Sequence, residues 1–203
     1  MTVIEVELKA RIADREAVRA RVAAFALPEG PVDKLDAYWH GPDWRLARGK
    51  KGFRVRAEAG RSVVTFKNKS SDGGIEINRE SEFGISDPEV FAEFALRLGC
   101  ERFYSKRKRG ERFVVDPCER AAACGDDPAC ACRGAATIEI VAVDGLGDFI
   151  EIEVLLPDDD PASIALAQGE IRGLLARSGV GPECIEPRYY SELLMEAGLV
   201  QRP

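Results

Sequence analysis

Glutamates two residues apart recur in this 203-residue chain, within stretches that alternate polar and apolar residues. Glu5 and Glu7 form one such pair, and Glu151 and Glu153 form another. Residues i and i+2 of a β-strand lie on one face, roughly 6.5 Å apart, so two glutamate side chains can converge on one metal cluster. Carboxylate oxygens suit Mg²⁺ and Mn²⁺, which bridge to substrate phosphates. The spacing therefore predicts a site for hard divalent cations.

Basic residues occupy the polar positions of other strand-like stretches. Arg54 and Arg56 form one pair, Lys67 lies on a later stretch, and a continuous basic run covers residues 106–109. Guanidinium and ammonium groups bind phosphate oxygens strongly. The register of the run stays open by one residue, because a slip exchanges the two faces of a strand. The two alternative inward pairs are Lys106 with Lys108 and Arg107 with Arg109.

Most elements that must position these side chains are strands. Strict alternation predicts a first strand over Val3 to Arg11. Runs between Gly-, Pro- and Ser-containing breaks predict the other strands. They cover 33–40, 52–58, 61–69, 74–84, 103–109, 112–116, 136–143 and 148–156.

Four helices are predicted between or after these strands. Asp14 caps the first, which ends before Pro28. The sequence Ser86-Asp87-Pro88-Glu89 is a capping box that opens the second, and Gly99 ends it. Pro161 opens the third, which Gly179 closes, and a short fourth covers 188–197.

Composition excludes several classes of function. The chain has 29 Lys and Arg against 35 Asp and Glu, a net charge of −6, which disfavours binding to nucleic acid or anionic membranes. His40 is the single histidine, so a His-rich zinc centre is excluded. No stretch approaches the roughly 18 apolar residues of a spanning helix, and Glu5 and Glu7 stand where a signal peptide is apolar. We expect a cytoplasmic protein.

Two arrangements of the charged strand faces are compatible with the alternation. An ordinary antiparallel sheet turns its charged face to water. A closed barrel of about eight strands instead places the charges inside, where one small ligand fits, and its apolar faces outside under amphipathic helices. Buried charges of both signs need salt bridges or a highly charged guest, such as a polyphosphate with divalent cations.

A resemblance to a known family favours the second arrangement. Glu5-Val-Glu7-Leu-Lys9 resembles the N-terminal Glu-x-Glu-x-Lys signature of the CYTH family, the triphosphate tunnel metalloenzymes. That family includes class IV adenylate cyclases, thiamine triphosphatases and inorganic triphosphatases. The final stretch over residues 186–194 is similar to the ending of the class IV cyclase branch. The matching motifs between them are Asp36-x-Tyr38, Phe53-Arg54-Val-Arg56, Thr65-Phe-Lys67, Asn78-x-Glu80-x-Glu82, the basic run and Gly145-Leu-Gly147 with the glutamates after it.

The resemblance implies an α+β fold, a closed antiparallel β-barrel of about eight strands with amphipathic helices packed outside, in a single domain over residues 1–203. It implies Mg²⁺ or Mn²⁺ as cofactor and gives catalytic roles to Lys9, Glu5 and Glu7. The metal ligands it implies are Glu5, Glu7, Glu80, Glu82, Glu151 and Glu153. The substrate-binding residues it implies are Lys9, Arg54, Arg56, Lys67, Lys106 and Lys108.

Two positions depart from the family pattern. Members often have an aspartate where this chain has Val141, and Glu139 on the same strand face is a candidate substitute. Many members have an arginine where this chain has Asn78. Both departures concern the exact substrate more than the fold.

The resemblance implies a small-molecule triphosphate as partner: ATP, tripolyphosphate or thiamine triphosphate. The first expectation is conversion of ATP to cyclic AMP and pyrophosphate, and the alternative is hydrolysis of the γ-phosphate by a triphosphatase. A nucleotide- or polyphosphate-binding module without turnover is the third hypothesis, and a homodimer stays open. Four aromatic residues are candidates to hold a base, with core packing or surface cover as the competing roles: Tyr38, Trp39, Trp44 and Tyr190.

The resemblance does not explain a cysteine-rich hairpin insert at about residues 117–135. It lacks the paired Cys-x-x-Cys spacing of zinc ribbons, so structural Zn²⁺, disulfides and a reduced hairpin tip all stay open. The four cysteines are Cys118, Cys124, Cys130 and Cys132.

Overall fold

The computed structural model describes residues 2–41, 51–116 and 135–200. Eight of its elements are strands: β1 (Thr2–Arg11), β2 (Leu27–His40), β3 (Lys51–Glu58), β4 (Arg61–Asp72), β5 (Ile75–Ile85), β6 (Glu101–Val115), β7 (Ala136–Val143) and β8 (Gly147–Leu156). They form a closed antiparallel barrel in the order β1-β5-β4-β3-β2-β6-β7-β8. Closure pairs every strand on both sides, so these strands leave no open sheet edge. The expected barrel is confirmed.

The described residues form four α-helices beside the barrel: α1 (Arg15–Val22), α2 (Pro88–Arg97), α3 (Pro161–Arg177) and α4 (Tyr190–Glu196). The predicted N-cap of α1 is confirmed, since the Asp14 carboxylate accepts a hydrogen bond from the Ala17 amide at 2.9 Å. The cap of α2 is Asp87 rather than Ser86, because Asp87 accepts from the amides of Glu89 and Val90 and Pro88 already lies in the first turn. None of the described helices combines the length and the apolarity that crossing a membrane requires.

The main hydrophobic core lies between the outer face of the barrel and the helices, as the alternation predicts. Most apolar residues of β1, β7 and β8 turn outward and pack beneath α1 and α3. A smaller cluster joins Ala95 of α2 to Phe53, Val64 and Trp39, so Trp39 is a core residue outside the barrel interior. Buried outer-face residues of the main core include Ile4, Val6, Leu8, Ile138, Ile150 and Ile152.

Helix α4 closes one end of the barrel instead of covering its side. Tyr190 and Leu193 pack against Val141 and Phe149, which share the inward strand faces with the charged residues. The Tyr190 ring contacts Phe149 edge to face, with centroids 5.2 Å apart. Apolar side chains therefore reach the inner face of the barrel beneath α4.

Strand β6 corrects one sequence prediction. The residues around Gly110 were expected to separate two strands, but β6 is continuous from Glu101 to Val115. A Cβ atom at Gly110 would lie 1.9 Å from the backbone oxygen of Ile140 on β7. Glycine permits this close approach of two backbones, so Gly110 marks strand packing rather than a turn.

Two sets of sequence predictions lie outside the described residues. One is the cysteine-rich insert with Cys118, Cys124, Cys130 and Cys132, together with its zinc, disulfide and reduced alternatives. The other is the entrance role of Trp44.

Candidate active site

A cavity inside the barrel collects charged side chains of both signs. The space measures about 340 Å³, including the part that opens to solvent. All of its lining residues have ionisable side chains except Thr137. They are Glu5, Glu7, Lys34, Arg54, Arg56, Lys67, Lys108, Thr137, Glu139, Glu151 and Glu153.

Strand order segregates these charges into two walls. Strands β5, β1, β8 and β7 are consecutive in the barrel and contribute most of the carboxylates, and we call them the acidic half. Strands β4, β3, β2 and β6 are also consecutive, contribute most of the cations and form the basic half. The cavity therefore lies between a negative wall and a positive wall.

Glu7 and Glu153 are the least compensated carboxylates of the acidic half. They are register partners across β1 and β8, and Glu76 of β5 is the register partner of Glu7 on the other side. Within the described ranges, neither Glu7 nor Glu153 makes an ion pair or a hydrogen bond. Burial, with the charges of Glu5, Glu151 and Glu76, raises the pKa of Glu7 to about 8. Burial and the Glu5 charge raise the pKa of Glu153 to about 7.

Glu5 is compensated by contrast. Lys67 Nζ lies 2.6 Å from Glu5 Oε2 and also contacts Glu80, and Asn78 Nδ2 donates to Glu5 Oε2 at 2.8 Å. Burial alone would raise the pKa of Glu5, but Lys67 and these hydrogen bonds hold it well below its usual range. Burial and the Glu5 charge raise the pKa of Glu80 to about 7 despite Lys67. Lys67 thus forms ion pairs with two predicted metal ligands, Glu5 and Glu80.

Glu82 lies apart from this group. Its side chain is 46% exposed, accepts a hydrogen bond from Thr65 Oγ1 at 2.6 Å and approaches Arg54 at 3.7 Å. Neither Glu80 nor Glu82 lines the cavity. The alternation of β5 places both on one face, yet Glu82 lies nearer the end of the strand, where solvent reaches it.

Asp36 organises the basic half. Its carboxylate is fully buried and accepts from Arg56 Nε at 2.7 Å and from Arg56 Nη2 at 3.0 Å. Lys106 Nζ lies 3.6 Å away on the neighbouring strand. Burial opposes ionisation, but Arg56 and Lys106 hold the pKa of Asp36 well below its usual range. Asp36 therefore fixes the positions of two predicted phosphate-binding cations.

The structure settles the register of the basic run. Lys106 and Lys108 point inward and are buried. Arg107 and Arg109 point outward and pair with Asp33 at 2.7 Å and Asp144 at 3.3 Å. Lys108 contacts Glu151, whose other oxygen accepts from the Tyr190 hydroxyl at 2.5 Å.

Lys9 and Lys106 lie at the closed end rather than in the cavity lining. Lys9 Nζ is 2.7 Å from Glu76 and 5.5 Å from the centre of the Tyr190 ring. Lys106 Nζ is 4.2 Å from the centre of the same ring. Lys69 and Lys9 lower the pKa of Glu76 to about 2 although burial opposes this. Two of the predicted substrate-binding lysines therefore lie against Tyr190 of α4 and outside the cavity lining.

The sequence predictions missed two residues that line the cavity, Lys34 and Thr137. Lys34 Nζ pairs with Glu139 Oε1 at 2.5 Å, and Arg112 Nε approaches the same oxygen at 2.8 Å. The signal for Lys34 was its position two residues before Asp36, on the same face of β2. Glu139 lies on the inward face, as its spacing from Val141 predicted.

The donor atoms of the acidic half are of the kind that binds a hard divalent cation. Its donors are carboxylate oxygens, which Mg²⁺ and Mn²⁺ prefer, and the uncompensated pair Glu7 and Glu153 would gain a counter-charge. Across the ranges 2–41, 51–116 and 135–200, no three acidic, histidine or cysteine side chains already stand close enough to form a ligand set. Water and substrate phosphates commonly complete a Mg²⁺ shell, so one or two carboxylates suffice.

Comparisons with known proteins agree with this fold. A Methanocaldococcus jannaschii protein, provisionally named an adenylate cyclase, is 26% identical over 192 residues, or 94% of this chain and 98% of that protein. The structure of a Pyrococcus horikoshii protein has a TM-score of 0.76 at 25% identity, covering 95% of this chain and 98% of that chain. A Hippeastrum protein, described as a provisional adenylyl cyclase with a dominant triphosphatase activity, has a TM-score of 0.61 at 15% identity. The match covers 97% of this chain and 96% of that chain. That last likeness concerns the fold alone.

The family assignment comes from a family model rather than from any one relative. The model of the CYTH domain matches residues 3–190, which include all eight strands from Val3 onward and the first residue of α4. The expected membership is confirmed: this chain belongs to the CYTH domain family.

Proposed function

We propose that this protein is a metal-dependent enzyme acting on a small-molecule triphosphate, with conversion of ATP to cyclic AMP and pyrophosphate as its first activity. The observation that carries the proposal is the cavity between two walls of opposite charge. A polyanion on the basic wall and a cation on the acidic wall would offset both at once. Family membership and the name of the Methanocaldococcus jannaschii relative support the cyclase reaction.

The basic half supplies the triphosphate contacts. Arg54, Arg56, Lys67 and Lys108 line the cavity and present guanidinium and ammonium groups to phosphate oxygens. Asp36 holds Arg56 in place before any ligand arrives. Because these groups are already positioned, little reorganisation is needed when negative charge shifts on the phosphates during the reaction.

The acidic half supplies the metal ligands. Glu7 and Glu153 would hold Mg²⁺ or Mn²⁺ with Glu5 beside them, whereas Glu151 is engaged by Lys108 and Tyr190. When bound, the cation offsets phosphate charge and polarises phosphorus–oxygen bonds. Lys9 would act from the closed end, through its contact with Glu76.

The cyclase reaction requires a particular orientation of ATP. The ribose 3′-hydroxyl oxygen attacks the α-phosphorus, and the bond from that phosphorus to the oxygen bridging to the β-phosphorus breaks. Pyrophosphate leaves and the hydroxyl proton passes to solvent. The cationic wall holds the leaving pyrophosphate in line with the attacking oxygen.

A triphosphatase is the second candidate, and the cavity lining favours it. Among the described residues that line the cavity, no aromatic ring is present to stack on a nucleobase. Tyr38 stacks on Tyr104 with ring centres 4.4 Å apart, and Tyr190 is buried against Phe149. The described lining therefore offers contacts to phosphate groups and no stacking contact to a nucleobase. In a triphosphatase reaction, water would attack the γ-phosphorus of tripolyphosphate or an organic triphosphate.

One experiment separates these activities from binding without turnover. The protein is incubated with ATP, tripolyphosphate or thiamine triphosphate in Mg²⁺ or Mn²⁺, and cyclic AMP, pyrophosphate and orthophosphate are quantified. Cyclic AMP from ATP supports the cyclase, whereas orthophosphate from any of the three supports the triphosphatase. Tight binding with neither product identifies a non-catalytic module.

A matched pair of variants ties the products to the cavity. Glu7→Gln removes an uncompensated carboxylate and should abolish turnover. Glu93→Gln removes an exposed carboxylate that pairs with Arg97 on α2 and should leave turnover unchanged. Equal rates in the two variants would disprove the assignment to this cavity.

A further inference from the structure

Lys34 is a cavity cation that the family motifs do not include. It lies on β2, is 6% exposed and lines the cavity together with Arg56 and Lys108. Its carboxylate contact is Glu139 on β7, with Nζ 2.5 Å from Oε1. The ammonium group therefore stands where a bound anion would reach it.

Like charges face each other at this position. Lys34 and Lys108 are register partners on β2 and β6, and both point into the cavity. Directly opposed side chains of an antiparallel pair have Cβ atoms about 5 Å apart, and two like charges at that distance destabilise a sheet. Lys108 is neutralised by Glu151 and Lys34 by Glu139, so an anion between the two lysines would relieve the remaining repulsion.

Glu139 does not depend on Lys34 alone. Arg112 Nε lies 2.8 Å from the same oxygen, Glu139 Oε1, that Lys34 contacts. Arg112 is itself held by Glu58, with Nη2 at 3.0 Å from Glu58 Oε1. If Lys34 turned to another partner, Glu139 would keep a charge-assisted hydrogen bond and would not become an unpaired buried carboxylate.

We propose that Lys34 is a phosphate-binding residue of the cavity, which exchanges Glu139 for an oxygen of a bound polyphosphate while Arg112 keeps Glu139 paired. This inference rests on the proposed function, because it requires a polyphosphate ligand. It extends the positive wall from Arg56 and Lys108 across β2. The exchange transfers no atom and changes only which oxygen the ammonium group contacts.

The test measures binding of inorganic tripolyphosphate by isothermal titration calorimetry in Mg²⁺ buffer, with the full chain. Lys34→Met should weaken binding about tenfold or more, as expected when one charge-assisted contact is lost. The control is Arg107→Gln, which removes an outward cation one strand away and should bind as the wild type does. Thermal unfolding of each variant verifies that it is folded.

A double variant separates direct binding from an indirect effect. In Lys34→Met/Glu139→Gln both charges of the pair are absent, so Glu139 cannot repel the phosphate. If the double variant binds tripolyphosphate at least tenfold more weakly than the wild type, direct contact by Lys34 is supported. This comparison remains valid if the single variant Lys34→Met misfolds. Binding restored to the wild-type value, or a single variant that binds as the wild type does, overturns the inference. A wild-type chain that neither binds nor converts tripolyphosphate or ATP overturns the proposed function as well.

Discussion

The two halves of the barrel interior use the same alternation but balance their charges differently. In the basic half, four cavity cations each contact a carboxylate: Lys34 with Glu139, Arg56 with Asp36, Lys67 with Glu5 and Lys108 with Glu151. In the acidic half, Glu7 and Glu153 face each other across β1 and β8. No cation among the described residues pairs with either of them. The carboxyl groups of the cavity that lack a cationic partner therefore lie on one wall.

This difference shows how the protein prepares each wall for its ligand. Asp36, a carboxylate within the basic half, holds Arg56 and Lys106 without any ligand present. The corresponding cation of the acidic half is Lys9, but it pairs with Glu76 at the closed end. The basic half is thus preorganised for phosphate, whereas the acidic half stays repulsive until a cation or protons bind.

The largest expected effect comes from removing one of the facing carboxylates. Glu153→Gln should lower turnover of the triphosphate substrate by roughly 10³-fold, since it removes a group that stabilises charge at the reacting phosphates. The same change should raise the thermal midpoint of the metal-free protein, because Glu7 loses its opposing charge. Product assays and thermal unfolding in EDTA measure the two effects. A variant with near wild-type turnover would contradict a metal role for this pair.

A smaller effect is expected in the basic half, from Asp36→Asn. The neutral amide keeps the shape but leaves Arg56 and Lys106 without their buried counter-charge, which should cost about 3 kcal/mol of unfolding free energy. The loss of positioning should also lower kcat/KM by roughly 10- to 100-fold. Urea unfolding and steady-state kinetics measure these changes. Wild-type values in both would show that Asp36 does not position the basic half.

The acidic half also predicts how stability depends on pH. The pKa values of Glu7 and Glu153 are raised to about 8 and about 7, so the folded protein retains protons that the unfolded chain releases near pH 4.5. Stability of the metal-free protein should therefore fall by several kcal/mol as pH rises from about 5 to about 8, since each carboxyl contributes about 1.4 kcal/mol per pH unit below its folded pKa. Thermal unfolding in EDTA across this range measures the slope.

Mg²⁺ provides the control for this pH dependence. A cation bound by the carboxylates replaces the protons, so stability between pH 5 and pH 8 should become nearly flat when Mg²⁺ is present. A carboxylate with a lowered pKa, such as Glu76 at about 2, gives the opposite trend, with stability lost only below about pH 4.5. A metal-free protein that becomes more stable from pH 5 to pH 8 would contradict the uncompensated pair.

Strand faces could be predicted from the sequence because alternation depends only on nearest neighbours. The pairs Glu5 with Glu7 and Arg54 with Arg56 share inward faces for this reason. Partners across the barrel could not be predicted in the same way. Lys67 and Glu5 are 62 residues apart, and Lys34 and Glu139 are 105 residues apart, so their contacts depend on which strands become neighbours on closure.

The sequence pattern also could not predict how far along the barrel axis each inward side chain lies. Glu80 and Glu82 alternate like true cavity residues, yet both lie outside the lining, and Glu82 is half exposed. Lys106 shares its face with Lys108, but the Tyr190 ring of α4 lies over it at the closed end. Alternation with a period of two predicts which face of a strand a residue occupies. It does not predict the position of the residue along the barrel axis, which depends on strand tilt and on the helix that closes the end.

The smallest predicted effect compares two neighbours on β6. Arg109 points outward, and its pair with Asp144 is more than half exposed on both sides, with Nη2 and Oδ2 3.3 Å apart. Exposed pairs contribute little, so Arg109→Gln should change the free energy of unfolding by less than about 0.5 kcal/mol and leave turnover within twofold. Lys108→Gln, one residue away and buried against Glu151, should lose most of its turnover. Since one peptide unit separates the two side chains, equal losses would place both faces of β6 in the site and contradict the division into an ionic interior and a solvated exterior.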